Sequence, residues 1–215
     1  MAEKPPAQIR VRRHPERGHY DAETVYPILD AGAVCHVGFI RDGHPVVLPT
    51  LHVRVDDHLY LHGAVASGLL KAMAKGVPVC VTVTELDGLV LARSVYNHSL
   101  NYRSVVVFGQ AYEVTHPDEK LRALRSLVEK VQPGRWADAR QPNATELRAT
   151  RVVAIRIESA SAKVRSGPPI DEAEDMDLPV WAGVIPVRAV RGEPEPDPAL
   201  PAGVEIPPYI ASGSV

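Results

Sequence analysis

The stretch "VPVCVTVTEL", Val77 to Leu86, repeats with a period of two. Val77, Val79, Val81 and Val83 point one way and the residues between them point the other. Only an extended strand keeps four β-branched residues on one face at that spacing, so this segment must be a strand with a buried side. A strand with a buried face needs partners, and the surrounding sequence supplies them. "AVCHVGFI" (33–40) and "PVVLPTLHVRV" (45–55) flank Asp42-Gly43, a two-residue hairpin signal. Asp56-Asp57 turns the second of these into "HLYLH" (58–62). Asp87-Gly88 reads as a further hairpin leading into "LVLARS" (89–94). "RSVVVFGQAYEV" (103–114) is the longest strand, and "RVVAIRIESASAKV" (151–164) reads as one last strand. Pro49 argues for an edge or a bulge.

Tight connections favour an antiparallel sheet, and several strands carry apolar residues on both faces. The fold class is therefore mainly β: six to seven antiparallel strands in a small barrel with short peripheral helices. Asp21 caps one such helix, with Val25, Ile28 and Leu29 as its stripe. Pro27 fits only near a first turn, which keeps that helix short. A second short helix runs to about Lys75, ahead of Gly76. A longer amphipathic one covers 116–131, with a stripe of Leu121, Leu124, Leu127, Val128 and Val131, and another short one covers 144–150.

Three segments follow: a polar, basic arm (1–20), the barrel domain (21–165) and an extension (166–215). Ten of the chain's twenty prolines lie beyond Gly167. Trp181, Val184 and Ile185 form an apolar island there, so the extension is expected to wrap over the domain or a partner subunit. A net charge of -2 gives no case for nucleic acid or an anionic membrane. The N-terminus has no signal-peptide core, no run is long enough to span a bilayer, and the two cysteines, Cys35 and Cys80, lie in apolar runs. The expectation is a soluble cytoplasmic protein with reduced thiols.

Two stretches carry chemistry. In "LYLHGAVASGLLKAM" (59–73) a strand becomes a helix at a corner holding His62, Gly63, Ala64 and Ser67, with Lys71 one turn on. Such a corner can hold a phosphate, or Ser67 caps the helix and Lys71 faces water. In "SVYNHSLNYRSVVVFG" (94–109), Tyr102, Arg103 and Ser104 open an apolar strand. Arg103 needs a counterion, either a ligand phosphate or carboxylate or an acid of the chain itself. No nucleophile elbow, P-loop or dinucleotide fingerprint occurs. The nine histidines lack a supporting ligand motif, so no metal site is expected.

"YLHG", "SGLLKAM" and above all "YRSVVVFG" (102–109) resemble the flavin-binding split barrels of the pyridoxamine 5'-phosphate oxidase-like superfamily, nearest its nitroimidazole-resistance branch. The resemblance spans about residues 10 to 165. It implies a split-barrel homodimer with FMN at the subunit interface. His62, Gly63, Ala64, Ser67 and Lys71 fall in the phosphate segment. Pro45, Val46, Val47, Leu48, Pro49 and Thr50 fall where the isoalloxazine edge lies. Tyr102, Arg103, Ser104, Lys163 and Arg165 fall near the cofactor, with His62 or Tyr102 as proton donors to a reduced acceptor. The phosphate helix lacks the basic residue that the family often has at its start. The implied activity is an oxidoreductase passing electrons from reduced nicotinamide through FMN to a small acceptor, nitroaromatic- or quinone-like. The alternatives are a non-catalytic flavin-binding or sensing protein, or the same fold carrying a deazaflavin or haem.

Overall fold

The structure, a computed structural model, describes residues 6–211. The first five residues of the arm and the last four of the extension lie outside the described residues. In chain order the elements are β1 (Gly18–His19), α1 (Ala22–Ala31), β2 (Val34–Arg41), β3 (His44–Leu51), β4 (Val53–Val55), β5 (His58–Ala64), α2 (Gly68–Met73), β6 (Pro78–Leu91), β7 (Ser99–Glu113), α3 (Pro117–Val131), α4 (Arg135–Asp138), α5 (Ala144–Ala149), β8 (Thr150–Arg156), β9 (Ser159–Arg165), β10 (Gly183–Pro186) and α6 (Pro208–Ala211). The strands run in the order β3-β2-β6-β7-β8-β5-β4, all antiparallel. β9 pairs with β7 and β1, and β10 pairs with β6. The sheet does not close, which is the architecture of a split barrel.

The main core lies inside the curl of the sheet. Val79, Val81 and Val83 of β6 meet Val105 and Val107 of β7, Leu59 and Leu61 of β5, and Ile28 and Leu29 of α1. The period-two valines thus bury one face, as their spacing requires. A smaller cluster, Tyr60, Val152 and Ala154 with Ala123 and Leu127, seats α3 on the other side of β5 and β8. Asp42 (φ 52°) and Gly43 (φ 79°) make the tight β2–β3 turn. Asp21 accepts from the Thr24 amide at 2.8 Å and caps α1.

Several expectations change. Among the described residues there are ten strands rather than six or seven, because β1, β4 and β10 are two to four residues long and too short to show a period. Asp87-Gly88 does not turn the chain. β6 runs straight through it for 14 residues, with a bulge between Leu86 and Gly88. Gly88 is kept small by β10, since a Cβ there would meet Val184 at 2.9 Å and the Ile185 carbonyl at 3.2 Å. The run 151–164 is two strands, broken at Ile157, whose amide donates to the Asp57 carbonyl at 2.8 Å. Pro27 lies inside the ten-residue α1 rather than in its first turn. The run 45–55 breaks at His52, so β3 stays on the sheet edge while β4 joins β5.

The extension lies on the domain it follows. β10 lines up against Gly88–Leu91 of β6, and the Arg93 guanidinium and amide donate to the carboxylate of Asp171 at 3.0 Å each. Tyr209 reaches the Asp138 carboxylate, and Arg191 reaches Gln132. Cys35 and Cys80 are free thiols. Among the described residues no helix is long and apolar enough to cross a membrane.

Gly109 sits where β7 leaves β9 and takes up β8 as its neighbour. A Cβ at this position would lie 2.0 Å from the Arg156 carbonyl oxygen. Gly109→Ala is expected to cost about 1–3 kcal/mol or more, read as a lowered urea midpoint with an unchanged m-value.

His52 is fully buried at the β3–β4 break, with Nε2 2.9 Å from the Leu29 carbonyl. The Lys130 ammonium donates to the same carbonyl at 3.1 Å and stands 3.3 Å from Nε2, while Nδ1 has no partner. Burial, and then the Lys130 charge, push the imidazole down to about 4. The folded state holds it neutral, whereas the unfolded chain protonates it below about 6.5. Its contribution is therefore complete above pH 6.5 and is lost as pH falls towards 4, by about 3 kcal/mol in all. Urea titrations at pH 7 and pH 4.5 are expected to show this loss, and His52→Gln to flatten it.

Candidate functional site

β3, β2, β6, β7 and β9 lie side by side, and their register decides which side chains share a face. Residues directly opposite in an antiparallel pair point the same way. Pro49 opposes His36, His36 opposes Thr82, Thr84 opposes Ser104, and Leu86 opposes Tyr102. Tyr102 then opposes Arg165, and Ser104 opposes Lys163. All of these lie on the face away from the core. The same face carries Ile40 and Val47, 64% and 63% exposed, together with Val34 and Leu86. Strand-forming apolar residues laid open over neighbouring strands make a patch that calls for a cover.

The expected cofactor residues divide by parity. Pro45, Val47 and Pro49 belong to the open face, while Val46 and Leu48 pack against the main core. Thr50 donates to the neighbouring Leu51 carbonyl at 3.4 Å. β3 pairs only with β2, so along its outer side the backbone N–H and C=O groups have no strand partner among the described residues. Tyr102, Ser104, Lys163 and Arg165 come together at the far side of the face. The Ser104 hydroxyl donates to the Lys163 carbonyl at 3.2 Å. Lys163 is half-buried, and its ammonium has no hydrogen bond or ion pair among the described residues.

Arg103 is turned to the other parity. Its guanidinium donates twice to the Asp87 carboxylate, at 2.9 and 2.8 Å, with 40% of its side chain exposed. Of the two counterions open to it from sequence, the chain's own acid holds it in this structure. The same pairing explains why Asp87 is stable as a bulge residue.

The 59–73 corner is arranged differently from the open face. Leu59, Leu61 and Gly63 point into the main core, and a Cβ on Gly63 would come within 3.0 Å of Leu70. The Ser67 hydroxyl accepts from the Leu70 amide at 3.4 Å and caps α2, a helix of only six residues. Ala64 and Lys71 are exposed. His62 has the parity of Tyr60 and faces α3. It opens on a cavity of about 330 Å³ lined by Leu124, Val128, Trp136 and Pro142, with Arg140 and Glu146 also in its wall. Arg140 donates to Glu146 at 2.6 Å. The imidazole keeps solvent access through the cavity mouth, yet the crowding around it lowers its pKa, so it is neutral near pH 7. It has no hydrogen-bond partner among the described residues. Within one chain, His62 and Tyr102 thus belong to two separate places.

Sequence reading marked Leu124 and Val128 as a helix stripe but gave no sign that Trp136 would close a cavity over His62. That closure depends on α4 folding back after Gly134, whose φ of 86° needs a residue without a Cβ.

The family model described as pyridoxamine 5'-phosphate oxidase matches residues 21–164. The flavocytochrome Anf3 from Azotobacter vinelandii is 42% identical over 99% of both chains, with a TM-score of 0.92. The FAD and heme binding protein from Mycobacterium smegmatis is 37% identical over 92% of this chain and 97% of its own, with a TM-score of 0.87. A 5-nitroimidazole antibiotic resistance protein from Bacteroides thetaiotaomicron, 21% identical over 72% of this chain and 95% of its own with a TM-score of 0.57, shares the fold. No curated protein matches the chain.

The Arg103–Asp87 pair is part-exposed and bidentate. Arg103→Ala and Asp87→Ala are each expected to lower stability by about 1 kcal/mol or less. In the double variant the two losses should coincide rather than add, as measured by a double-mutant cycle in urea.

Proposed function

The chain belongs to the pyridoxamine 5'-phosphate oxidase family, and we propose that it is a flavin-dependent redox protein that also carries haem. The reading rests above all on the open face, where an apolar surface lies between a free strand edge on β3 and the unpaired Lys163 ammonium on β9. Those features suit a flat, largely apolar ring with polar edges. The β3 amides offer donors along one edge of such a ring, and Tyr102 and Ser104 flank the other side. When bound, the flavin supplies hydride acceptance from reduced nicotinamide and electron transfer to a small acceptor of nitroaromatic or quinone type. The chain's part is to hold the ring, to exclude water with a second copy of the same face in a homodimer, and to deliver a proton from the Tyr102 hydroxyl. The expected setting is cytoplasmic.

Two observations favour a second cofactor. His62 offers a neutral, partnerless imidazole to a cavity walled on one side by Leu124, Val128, Trp136 and Pro142, which is the donor that haem iron takes. Two structures that match along nearly the whole chain are a flavocytochrome and an FAD and heme binding protein. The second also favours FAD over the FMN implied by the sequence motifs, and the isoalloxazine contacts would serve either.

The test is the absorption spectrum of the purified protein, followed by chromatography of the released flavin. Flavin bands together with a haem Soret band are expected, with FAD released. His62→Ala is expected to lose the Soret band and keep the flavin. A wild-type protein that takes up neither flavin on addition would overturn the reading, and a Soret band unchanged in His62→Ala would remove His62 as ligand.

A further inference from the structure

Away from the β3 edge, the chain's basic N-terminal segment folds back against β9 and makes a cleft that the flavin reading does not use. The cleft is about 350 Å³ and is lined by Arg13, His14, Arg17, Tyr96, His98 and Arg165, together with Glu172 and Ile170. Its floor is unusual. Arg165 is only 6% exposed, and its guanidinium donates to three neutral acceptors: the Asn101 side chain, the Gly167 carbonyl and the Pro168 carbonyl at 3.1 Å. No carboxylate of the described residues pairs with it. Burial, and then the positive charge of Arg17, press its pKa down. A desolvated guanidinium held against a second one is costly unless an anion neutralises it.

The remaining charges leave that cost in place. Arg17 has one acidic contact, Glu16 at 3.6 Å, and His14 draws on the same carboxylate oxygen at 3.2 Å. Arg13 makes no hydrogen bond or ion pair among the described residues. Asp171, next along the extension, is taken by Arg93. Glu172 is the one acid in the wall, against three guanidiniums. On the rim stands Tyr96, 89% exposed, on a short turn anchored by the Ser94 hydroxyl, which accepts from its amide at 3.2 Å. A tyrosine ring laid open beside three guanidiniums is the pairing that reads a nucleotide, the ring stacking on the base and the forks holding phosphate oxygens.

We propose that this cleft is a nucleotide site that takes the diphosphate of an adenine dinucleotide. Arg13 and Arg17 grip phosphate oxygens, Arg165 supplies buried positive charge beneath them, and Tyr96 stacks on the adenine. The cleft adjoins the open face through the Tyr102–Arg165 strand pair, so a dinucleotide can lie with its diphosphate here and its redox ring over the sheet. The shared chemistry has two sources, the flavin dinucleotide itself or the reduced nicotinamide that delivers hydride. The dinucleotide identity rests on the flavin reading, while the anion site does not.

The experiment titrates full-length protein from which any bound flavin has been released with ADP and with inorganic pyrophosphate by calorimetry at low and high salt, in wild type, Arg13→Ala/Arg17→Ala and Tyr96→Ala. Arg165 is left intact because it also holds the 167–168 turn. Expected for wild type is salt-sensitive binding of both probes. The double arginine variant should weaken both at least tenfold, and Tyr96→Ala should weaken ADP only. Flavin content and nicotinamide kinetics then identify the source. FAD lost with FMN uptake retained in the arginine variant assigns the cleft to the flavin. Unchanged flavin with a raised KM for reduced nicotinamide assigns it to the donor. Pyrophosphate binding in a protein that takes up no flavin would keep the anion site and overturn only the flavin reading. Wild type that binds neither probe at millimolar concentration, or an arginine variant indistinguishable from it, overturns the proposal.

Discussion

The backbone contact between Gly109 and the Arg156 carbonyl sets the shape of this molecule. Along one edge β7 runs beside β6 from Ser99 to Gln110. Along the other it must serve two partners, β9 up to Phe108 and β8 from Ala111. The changeover leaves room for no side chain, because the end of β8 passes directly over the strand. Beyond that crossing β8 and β5 continue from one end of β7 while β9 stays beside the other, and the sheet remains open. The main core fills the curl of the sheet, and the α3 cluster fills the space behind it.

Splitting the sheet has a consequence for chemistry. A closed barrel would have one inside and one outside. Here, among the described residues, one stretch of sheet faces neither the core nor a helix, and at its β9 end, where Tyr102, Ser104 and Lys163 converge, residues 8–13 share a cavity with Ser104 and Lys163. The second arm of the split carries His62 to α3, where its imidazole meets a cavity instead of a packed interior. Two partnerless polar groups, an ammonium and a neutral imidazole, thus end up on different arms. The basic cleft is a third place, made when the segment before β1 returns to the β9 edge.

Charge is handled unevenly across these places. Arg103 pairs with Asp87, Arg93 with Asp171 and Arg151 with Glu113, each through charged hydrogen bonds at about 3 Å or less, although the buried Nε of Arg93 has no partner among the described residues. These pairs tie strands and extension together and neutralise each of the three charges within the chain. Among the described residues Arg165 has only neutral acceptors, and the Lys163 ammonium has none. The contrast separates structural cations from available ones, which residue type alone cannot do.

Much of this was legible in the residues. The valines of 77–83, the Asp42-Gly43 turn and the stripe of 116–131 each state a local geometry, because β-branched alternation, positive φ and helical spacing are local constraints. "YRSVVVFG" carried the family, and with it the face on which Tyr102 and Ser104 lie. What residues could not state was how far a local signal holds against its neighbours. Asp87-Gly88 has the composition of a turn, but an arginine across the strand and a returning β10 hold it extended. The 151–164 run has no glycine or proline to mark its break, which a single amide bond to Asp57 makes. Whether Arg103 meets a ligand or an acid, whether His62 is packed or open, and where the proline-rich extension lies depend on contacts between residues far apart in the chain, and only the tertiary structure decides those.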